Sequence, residues 1–159
     1  MTPVRNLMKR LAPLLALPLV AAAPAGPQLG PIRLQLYYKT SGTLSPNVAP
    51  PTKIDFWNTG AGEGGVKEPA EDLLVSVPIR MPPGRDIGEN SDVPLTLTVR
   101  TKAGKLLGER RFNYVSIPYQ DPVWSALWVN NIQCAGPIVA TATWGKQTRS
   151  AAVRFDCGE

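Results

Sequence analysis

The last part of the chain, Val123 to Cys157, contains both cysteines and a pattern that predicts three consecutive strands. Apolar and polar residues alternate on either side of Gly145-Lys146, and a glycine at the first of two turn positions suits a type II′ hairpin turn. Pairing residues outward from that turn places Cys134 opposite Cys157. The turn, the alternation and the cysteine spacing together predict a hairpin with a disulfide at its base, and therefore a fold built from strands.

The two cysteines also bear on the compartment in which the chain folds. A pair of cysteines in an exported protein usually forms a disulfide, and closing a loop of this length stabilises the fold by about 3 kcal/mol in the chain-entropy model. The alternative is a pair of free thiols. We expect the Cys134–Cys157 disulfide, and with it an oxidising compartment.

The N-terminus has the layout of a secretory signal peptide. Residues 1–10 carry three basic side chains and no acid, residues 11–25 are apolar, and Ala23-Pro24-Ala25 has the small-x-small form of a cleavage site. We predict a signal peptide over 1–25, cleavage before Gly26, and a single domain over 26–159 that is secreted or periplasmic. An uncleaved anchor is the alternative, but the apolar run is shorter than the ~20 residues that a membrane span needs.

Removal of the signal peptide changes the charge of the chain. It leaves 14 basic residues against 12 acidic ones, a net charge of +2. The mature chain has no run of basic residues beyond the pair Arg110-Arg111. We therefore expect no nucleic-acid partner and no membrane span in the mature protein.

Short alternating segments recur along the mature chain with glycine- and proline-rich turns between them. No window of 11 residues or more has a helical period. This pattern predicts an all-β antiparallel β-sandwich of about eight strands, immunoglobulin-like in the broad sense, with a β-barrel as the alternative. No residue pattern identifies a named family. The predicted strands are 32–40, 53–58, 71–81, 93–101, 106–117, 123–134, 138–144 and 147–157.

Proline and glycine positions add detail to these strands. Pro78 points outward from an otherwise apolar strand, which predicts an edge strand or one broken by a bulge. Gly104 suits a turn that needs a positive φ, and Gly108 suggests a bulge in the strand predicted over 106–117.

The sequence contains few residues that could serve in catalysis or bind a cofactor. The sequence has no histidine, which excludes Ser-His-Asp and Cys-His catalysis and disfavours a zinc site. Residues Gly60 to Gly65 match the dinucleotide fingerprint G-x-G-x-x-G letter for letter, but that site needs a helix N-terminus directly after it. Here Glu68-Pro69 and a strand follow. We expect a surface loop, no cofactor and no bound metal.

The acids of this loop, Glu63, Glu68, Glu71 and Asp72, are the candidate loop ligands. Carboxylate oxygens bind Ca²⁺, and a pair of carboxylates can hydrolyse glycosides. Their spacing matches no calcium-loop pattern, so solvated surface charge is the simpler interpretation. We expect no enzymatic activity.

Aromatic residues are the more informative set. The chain has four tryptophans, and two of them, Trp124 and Trp128, share one face of a strand whose other face is also largely apolar. The simpler expectation is that a loop or the second sheet covers this pair. The alternative is an exposed aromatic platform for a sugar ring or another protein. The candidate surface comprises Trp57, Trp124, Trp128 and Trp144, to which Tyr37, Tyr38 and Tyr119 could add.

These observations predict an exported, non-catalytic module with a protein-interaction or structural role. The partner, an unknown protein or glycan, would meet long loops or a sheet edge. The alternatives are a glycan-binding domain with an aromatic face and a small hydrolase that uses loop carboxylates. The predicted loops are Ser41–Pro51, Thr59–Asp72 and Pro82–Ser91.

Overall fold

The computed structural model describes residues 26–49, 56–84 and 88–158. The predicted signal peptide over 1–25 lies outside these residues, as do parts of two predicted loops. The described ranges contain a 3₁₀ turn over Thr59–Ala61 and no α-helix. No helical segment in them is long and apolar enough to cross a membrane. The strands are β1 Gln28–Leu29, β2 Arg33–Tyr38, β3 Thr43–Leu44, β4 Phe56–Trp57, β5 Asp72–Arg80, β6 Glu89–Ser91, β7 Leu95–Thr101, β8 Leu106–Phe112, β9 Val115–Ile117, β10 Val123–Val129, β11 Gly136–Trp144 and β12 Gln147–Asp156.

The strands form the predicted all-β antiparallel sandwich. Sheet A contains β10, β5, β1, β2 and β3, with β1 and β2 end to end along one edge of β5. Sheet B has the order β4-β12-β11-β7-β8, in which β4 runs parallel to β12 and the other neighbours are antiparallel. A small ribbon of β6 and β9 lies beside them. The expectation of an all-β fold is confirmed.

Strand β5 lies at the centre of sheet A and not at an edge, so that expectation from Pro78 is wrong. β10 pairs with one edge of β5, and β1 and β2 share the other. Pro78 is tolerated because its backbone faces the interruption between β1 and β2, where the Gly30 N–H donates to the Pro78 carbonyl at 2.7 Å. Between the pairs of β1 with β5 and the pairs of β2 with β5, the register shifts by one residue. The extra residue belongs to the segment that joins β1 to β2, so the bulge lies there and not in β5.

The C-terminal hairpin forms in the predicted register. Trp144 pairs with Gln147 at the turn, and Gly145 has a φ of 56°, the positive value that the first turn position needs. At the other end, Cys134 and Cys157 form the predicted disulfide, with Cα atoms 4.6 Å apart. The disulfide therefore ties the last strand to the segment that connects β10 to β11.

The β7–β8 hairpin contains both glycine features that the sequence predicts. Gly104 has a φ of 90° in the turn. Val99 pairs with Gly108 and Arg100 with Leu106, so Leu107 is the extra residue of a bulge next to Gly108.

The strand predicted over 106–117 is in fact two strands in different sheets. β8 ends at Phe112, which pairs with Leu95, the first residue of β7. Pro94 precedes that residue and cannot donate to a ladder. The chain beyond Phe112 therefore has no partner in sheet B, and β9 pairs with β6 instead.

The core fills the space between the two sheets. Inward-facing residues of β2, β5, β7, β10, β11 and β12 are buried between the sheets, and the residues between them point outward, as the alternation in the sequence predicts. Burying each large apolar side chain contributes about 1.5–3 kcal/mol. The large side chains that are fully buried include Leu34, Leu36, Leu73, Val75, Ile79, Leu95, Leu97, Ile132, Ile138 and Phe155.

We predict that the disulfide contributes about 3 kcal/mol to the free energy of unfolding, because it closes a loop with a sequence separation of 23 in the unfolded chain. The measurement is urea denaturation of the oxidised protein and of the Cys134→Ala/Cys157→Ala double variant. Equal unfolding free energies would contradict the prediction.

Gly30 packs against Pro78 so closely that a side chain has no room. A Cβ added at Gly30 would lie 2.6 Å from the Pro78 Cγ, whereas a Cβ added at Gly26 has no atom within 4 Å. We predict that Gly30→Ala lowers the free energy of unfolding by about 1–3 kcal/mol through overpacking. Gly26→Ala is the matched control and should unfold at the wild-type urea concentration. A loss of stability in both variants would show that the contact with Pro78 is not the cause.

Candidate binding surface

Strand β10 presents its two tryptophans to the outside of the sandwich. Ser125, Leu127 and Val129 point into the core and are buried, so the alternation of the strand turns Trp124 and Trp128 outward. The two residues are 39% and 42% exposed. The simpler expectation, that a loop or the second sheet covers this pair, is therefore not met in the described ranges.

Neighbouring strands extend this surface. The Tyr37 ring on β2 meets the Trp128 ring edge-on, with centroids 5.1 Å apart. Arg33, on the same face of β2, places its guanidinium 4.3 Å from the centroid of the Trp124 ring. Leu44 on β3 pairs with Tyr37 and is 41% exposed. We call these five residues of sheet A the aromatic face.

Central strand β5 shapes the surface from beneath. Pro78 pairs with Trp124 and Ser76 pairs with Ala126, and both residues of β5 are buried although they point outward. The larger side chains on β10 and β2 lie over the small ones on β5, so the tryptophans are supported by a rigid sheet and are not carried by a loop.

The outer side of sheet A carries two arginines at one end and a carboxylate at the other. Arg33 and Arg80 both belong to this side of sheet A, and in the described part of the chain neither takes part in an ion pair. Asp72 lies at the far end of β5, where its carboxylate accepts a hydrogen bond from the Asn131 N–H at 3.2 Å. A guanidinium that stacks on an aromatic ring keeps its in-plane N–H groups available for an anion.

The other two candidate tryptophans do not join this surface. Trp144 is 6% exposed, and its indole N–H donates to the Val93 carbonyl at 2.9 Å. It is a core residue, so its assignment to a binding surface is wrong. Trp57 is 42% exposed but belongs to β4 of sheet B, where the backbone of Gly64 lies against it.

Of the tyrosines that could have added to the surface, Tyr37 alone belongs to the aromatic face. Tyr38 is buried in the core, and Tyr119 is exposed in the connection before β10. Arg33 and Leu44 were missed. The alternation of the strand places Arg33 on the same face as Tyr37, so the sequence could have indicated it. The position of Leu44 depends on how the chain after β2 folds back, which alternation does not show.

The four loop acids contact four different partners and do not converge. The Asn58 amide donates to Glu63 at 2.9 Å, and the Ser41 N–H donates to Glu68 at 2.9 Å. Glu71 forms an ion pair with Lys39, while Asp72 binds the Asn131 backbone. No group of three or more possible metal ligands occurs among the residues that the structure describes.

The glycine-rich segment is a folded connection between β4 and β5. Its G-x-G-x-x-G motif begins in a 3₁₀ turn and continues as a loop, without the helix that a dinucleotide site requires. Ala70 is fully buried, and its N–H donates to the Thr59 carbonyl at 2.8 Å. The Gly158 N–H also donates to the Asn58 side chain, which ties the loop to the C-terminal end.

The described part of the first predicted loop, residues 41–49, is also attached to the body of the sandwich. After β3, the Ser45 and Val48 N–H groups donate to carbonyls of β2 at 2.8 Å. Asn47 completes the pairing by accepting from the Leu34 N–H at 2.8 Å. This segment therefore covers the edge of β2 and is a poor candidate for a freely displayed loop.

Comparison with known proteins adds little to this geometry. No protein-family model matches the chain, and no curated protein matches it. Among solved structures the chain is similar to the ligand binding region of Serine-glutamate repeat protein A (SgrA) of Enterococcus faecium, with a TM-score of 0.32 and 8% sequence identity over 67% of this chain and 90% of that one. At this level of similarity the match assigns neither a family nor a function.

We predict that acrylamide quenches the fluorescence of three tryptophans and spares Trp144, because Trp144 is buried. A variant that retains only Trp144, with Trp57→Phe, Trp124→Phe and Trp128→Phe, should emit at shorter wavelength and resist quenching. A variant that retains Trp144 and Trp128 should regain a quenchable component. Protection of Trp128 in that variant would show that its ring is covered in solution.

Proposed function

We propose that this protein is an exported, non-catalytic binding module that contacts a partner protein through the aromatic face. The observation that carries the proposal is the exposure of Trp124 and Trp128 on a rigid sheet, with Tyr37 and Arg33 in contact with them. Contiguous exposed apolar surface on a soluble domain is typical of interaction sites.

The residue types favour a protein over a glycan as the partner. Trp, Tyr and Arg supply most of the binding energy in protein interfaces, and the aromatic face contains all three. Leu44 adds an exposed aliphatic side chain. A sugar ring stacks on a free aromatic ring, whereas the Arg33 guanidinium already lies over the Trp124 ring.

The charges indicate what the partner carries. Arg33 and Arg80 have no carboxylate partner within the described ranges. A complementary surface would place acidic side chains opposite these arginines and apolar side chains opposite the two tryptophans. We therefore propose a partner protein with an apolar patch bordered by carboxylates.

Export and the absence of catalysis are part of the same proposal. The disulfide supports an oxidising compartment, and the basic and apolar N-terminus supports secretion or transfer to the periplasm. The lack of histidine in the sequence and the separate bonding of the four loop acids support a non-catalytic role.

We predict that truncating either tryptophan of the aromatic face weakens partner binding at least about 30-fold, because a hot-spot aromatic contributes about 2 kcal/mol or more. The mature chain from Gly26 is immobilised, proteins captured from the cell envelope are identified, and each is purified. Calorimetric titration then compares the wild type with Trp124→Ala and Trp128→Ala.

Trp57→Ala is the matched control, because this indole is as exposed as that of Trp128 but lies on sheet B. Its Kd should stay within about twofold of the wild type, since contacts outside a hot spot contribute little. Unchanged binding by both face variants would contradict the proposal. Binding of the wild type to a glycan array, lost in both face variants and without any protein partner, would assign the face to sugars instead.

A further inference from the structure

Strand β10 has one paired edge and one open edge. Its first edge pairs with β5 from Val123 to Val129, and no strand in the described ranges pairs with its second edge. The seven residues VWSALWV contain no charge, no proline and no glycine. Long apolar edge strands of this kind are normally protected, because they pair readily with another strand.

The Ala126 carbonyl identifies which backbone groups face the open edge. It accepts a hydrogen bond at 2.9 Å from the side chain of Arg110, which belongs to β8 of the other sheet. In an antiparallel strand the N–H and C=O of one residue point to the same side, and alternate residues share that side. The backbone groups of Trp124, Ala126 and Trp128 are therefore directed to the open edge.

The sequence of β10 is nearly the same in both directions. Reading outward from Ala126, the second neighbours are both tryptophan and the third neighbours are both valine; only Ser125 and Leu127 differ. A strand with this symmetry can pair antiparallel with a second copy of itself about a two-fold axis. That axis would pass midway between Ala126 of one copy and Ala126 of the other.

We propose that the open edge of β10 pairs with β10 of a second copy of this chain, with Ala126 opposite Ala126 of that copy. Trp124 then lies opposite Trp128 of the second copy, and the reverse pair repeats the contact. Antiparallel pairs in this register exchange two N–H···O=C bonds at each of these three positions. The facing indoles add aromatic cross-strand pairs on the outer face.

The other edges of the sandwich are less suited to this contact. β8 carries Glu109, Arg110 and Arg111 in succession and contains a bulge, which are devices that prevent edge pairing. β3 has two residues, and the segment after it covers the edge of β2. β12 pairs with β4 only at Phe155 and Asp156, and the rest of that strand is largely polar and carries the charged residues Arg149 and Arg154. Among the described edges, β10 combines length, apolar character and symmetry.

Arg110 acts on the proposed contact as a cap. Its guanidinium lies 4.6 Å from the Phe112 ring centroid and donates a hydrogen bond to the Ala126 carbonyl. A second strand that pairs with β10 would have to displace Arg110 from that carbonyl. Two arginines would also approach each other near the two-fold axis. Removing Arg110 should therefore strengthen the dimer.

The dimer would place two aromatic faces side by side on the outer side of one sheet. Two five-stranded sheets would join into one continuous sheet that presents four tryptophans from the two β10 strands. This inference goes beyond the proposed function and does not depend on it, because the backbone hydrogen bonds at the strand edge would hold the dimer whether or not the outer face binds a partner.

The experiment is sedimentation equilibrium of the mature chain over a wide concentration range. We expect a monomer–dimer equilibrium for the wild type. Ala126→Lys and Ala126→Glu should each weaken the dimer at least about tenfold, because like charges would lie directly opposite each other. An equimolar mixture of the two variants should form a heterodimer, since the introduced lysine of one copy then faces the introduced glutamate of the other.

Gln35→Lys and Gln35→Glu are matched controls, since they place the same charges on the outer face of β2, away from the open edge. Both should dimerise as the wild type does, and Arg110→Ala should dimerise more tightly. A wild type that stays monomeric at every concentration would overturn the proposal, as would a dimer indifferent to charge at Ala126.

Hydrogen exchange of the wild type gives a second measurement that needs no variant. The amides of Trp124, Ala126 and Trp128 should exchange more slowly as protein concentration rises. The amides of Ser125 and Leu127, which face β5, should be protected at every concentration. Concentration-independent exchange at the three edge amides would overturn the proposed pairing even if the Ala126 variants failed to fold.

Discussion

Backbone pairing to β5 holds sheet A together. β10 bonds to one edge of this strand, and β1 and β2 bond to the other, while four of its apolar side chains, Leu73, Val75, Val77 and Ile79, are fully buried against sheet B. A central strand satisfies its backbone polar groups on both sides, which an apolar strand removed from water requires. Pro78, the residue of β5 without an N–H, faces the break between β1 and β2, where its carbonyl still accepts a hydrogen bond from the Gly30 N–H.

The same strand determines what the outside of sheet A can do. Small outward residues on β5 leave room for larger side chains from β10 and β2 to lie over them, which is how Trp124 comes to contact Arg33. The aromatic side chains and Arg33 thus lie on strands whose inward residues belong to the core. Binding through such a face loses little conformational entropy, because its aromatic side chains are already positioned by packing.

Two features of one strand, its outward side chains and its free backbone edge, carry the two proposals. The exposed side chains of Trp124 and Trp128 support the proposal of a partner protein. The near-symmetric edge around Ala126 supports the proposal of pairing with a second copy. These contacts are compatible because side chains stand perpendicular to the sheet, whereas backbone hydrogen bonds lie in its plane. A dimer would present two copies of the aromatic face to one partner and raise the apparent affinity through an effective concentration effect.

Local chemistry in the sequence determined the all-β class, the C-terminal hairpin with its register and disulfide, the bulge near Gly108 and the inward residues of the long strands. Each of these depends on alternation, on a turn residue or on short spacing, and such features are encoded within a few residues. Tertiary structure alone decided that β5 is central, that the strand over 106–117 divides between sheets, that Trp144 is core, and that Trp124 and Trp128 are exposed. Alternation within a strand indicates only that a side chain points outward. Whether that side chain is covered or exposed depends on which strands and loops, distant in sequence, pack beside it.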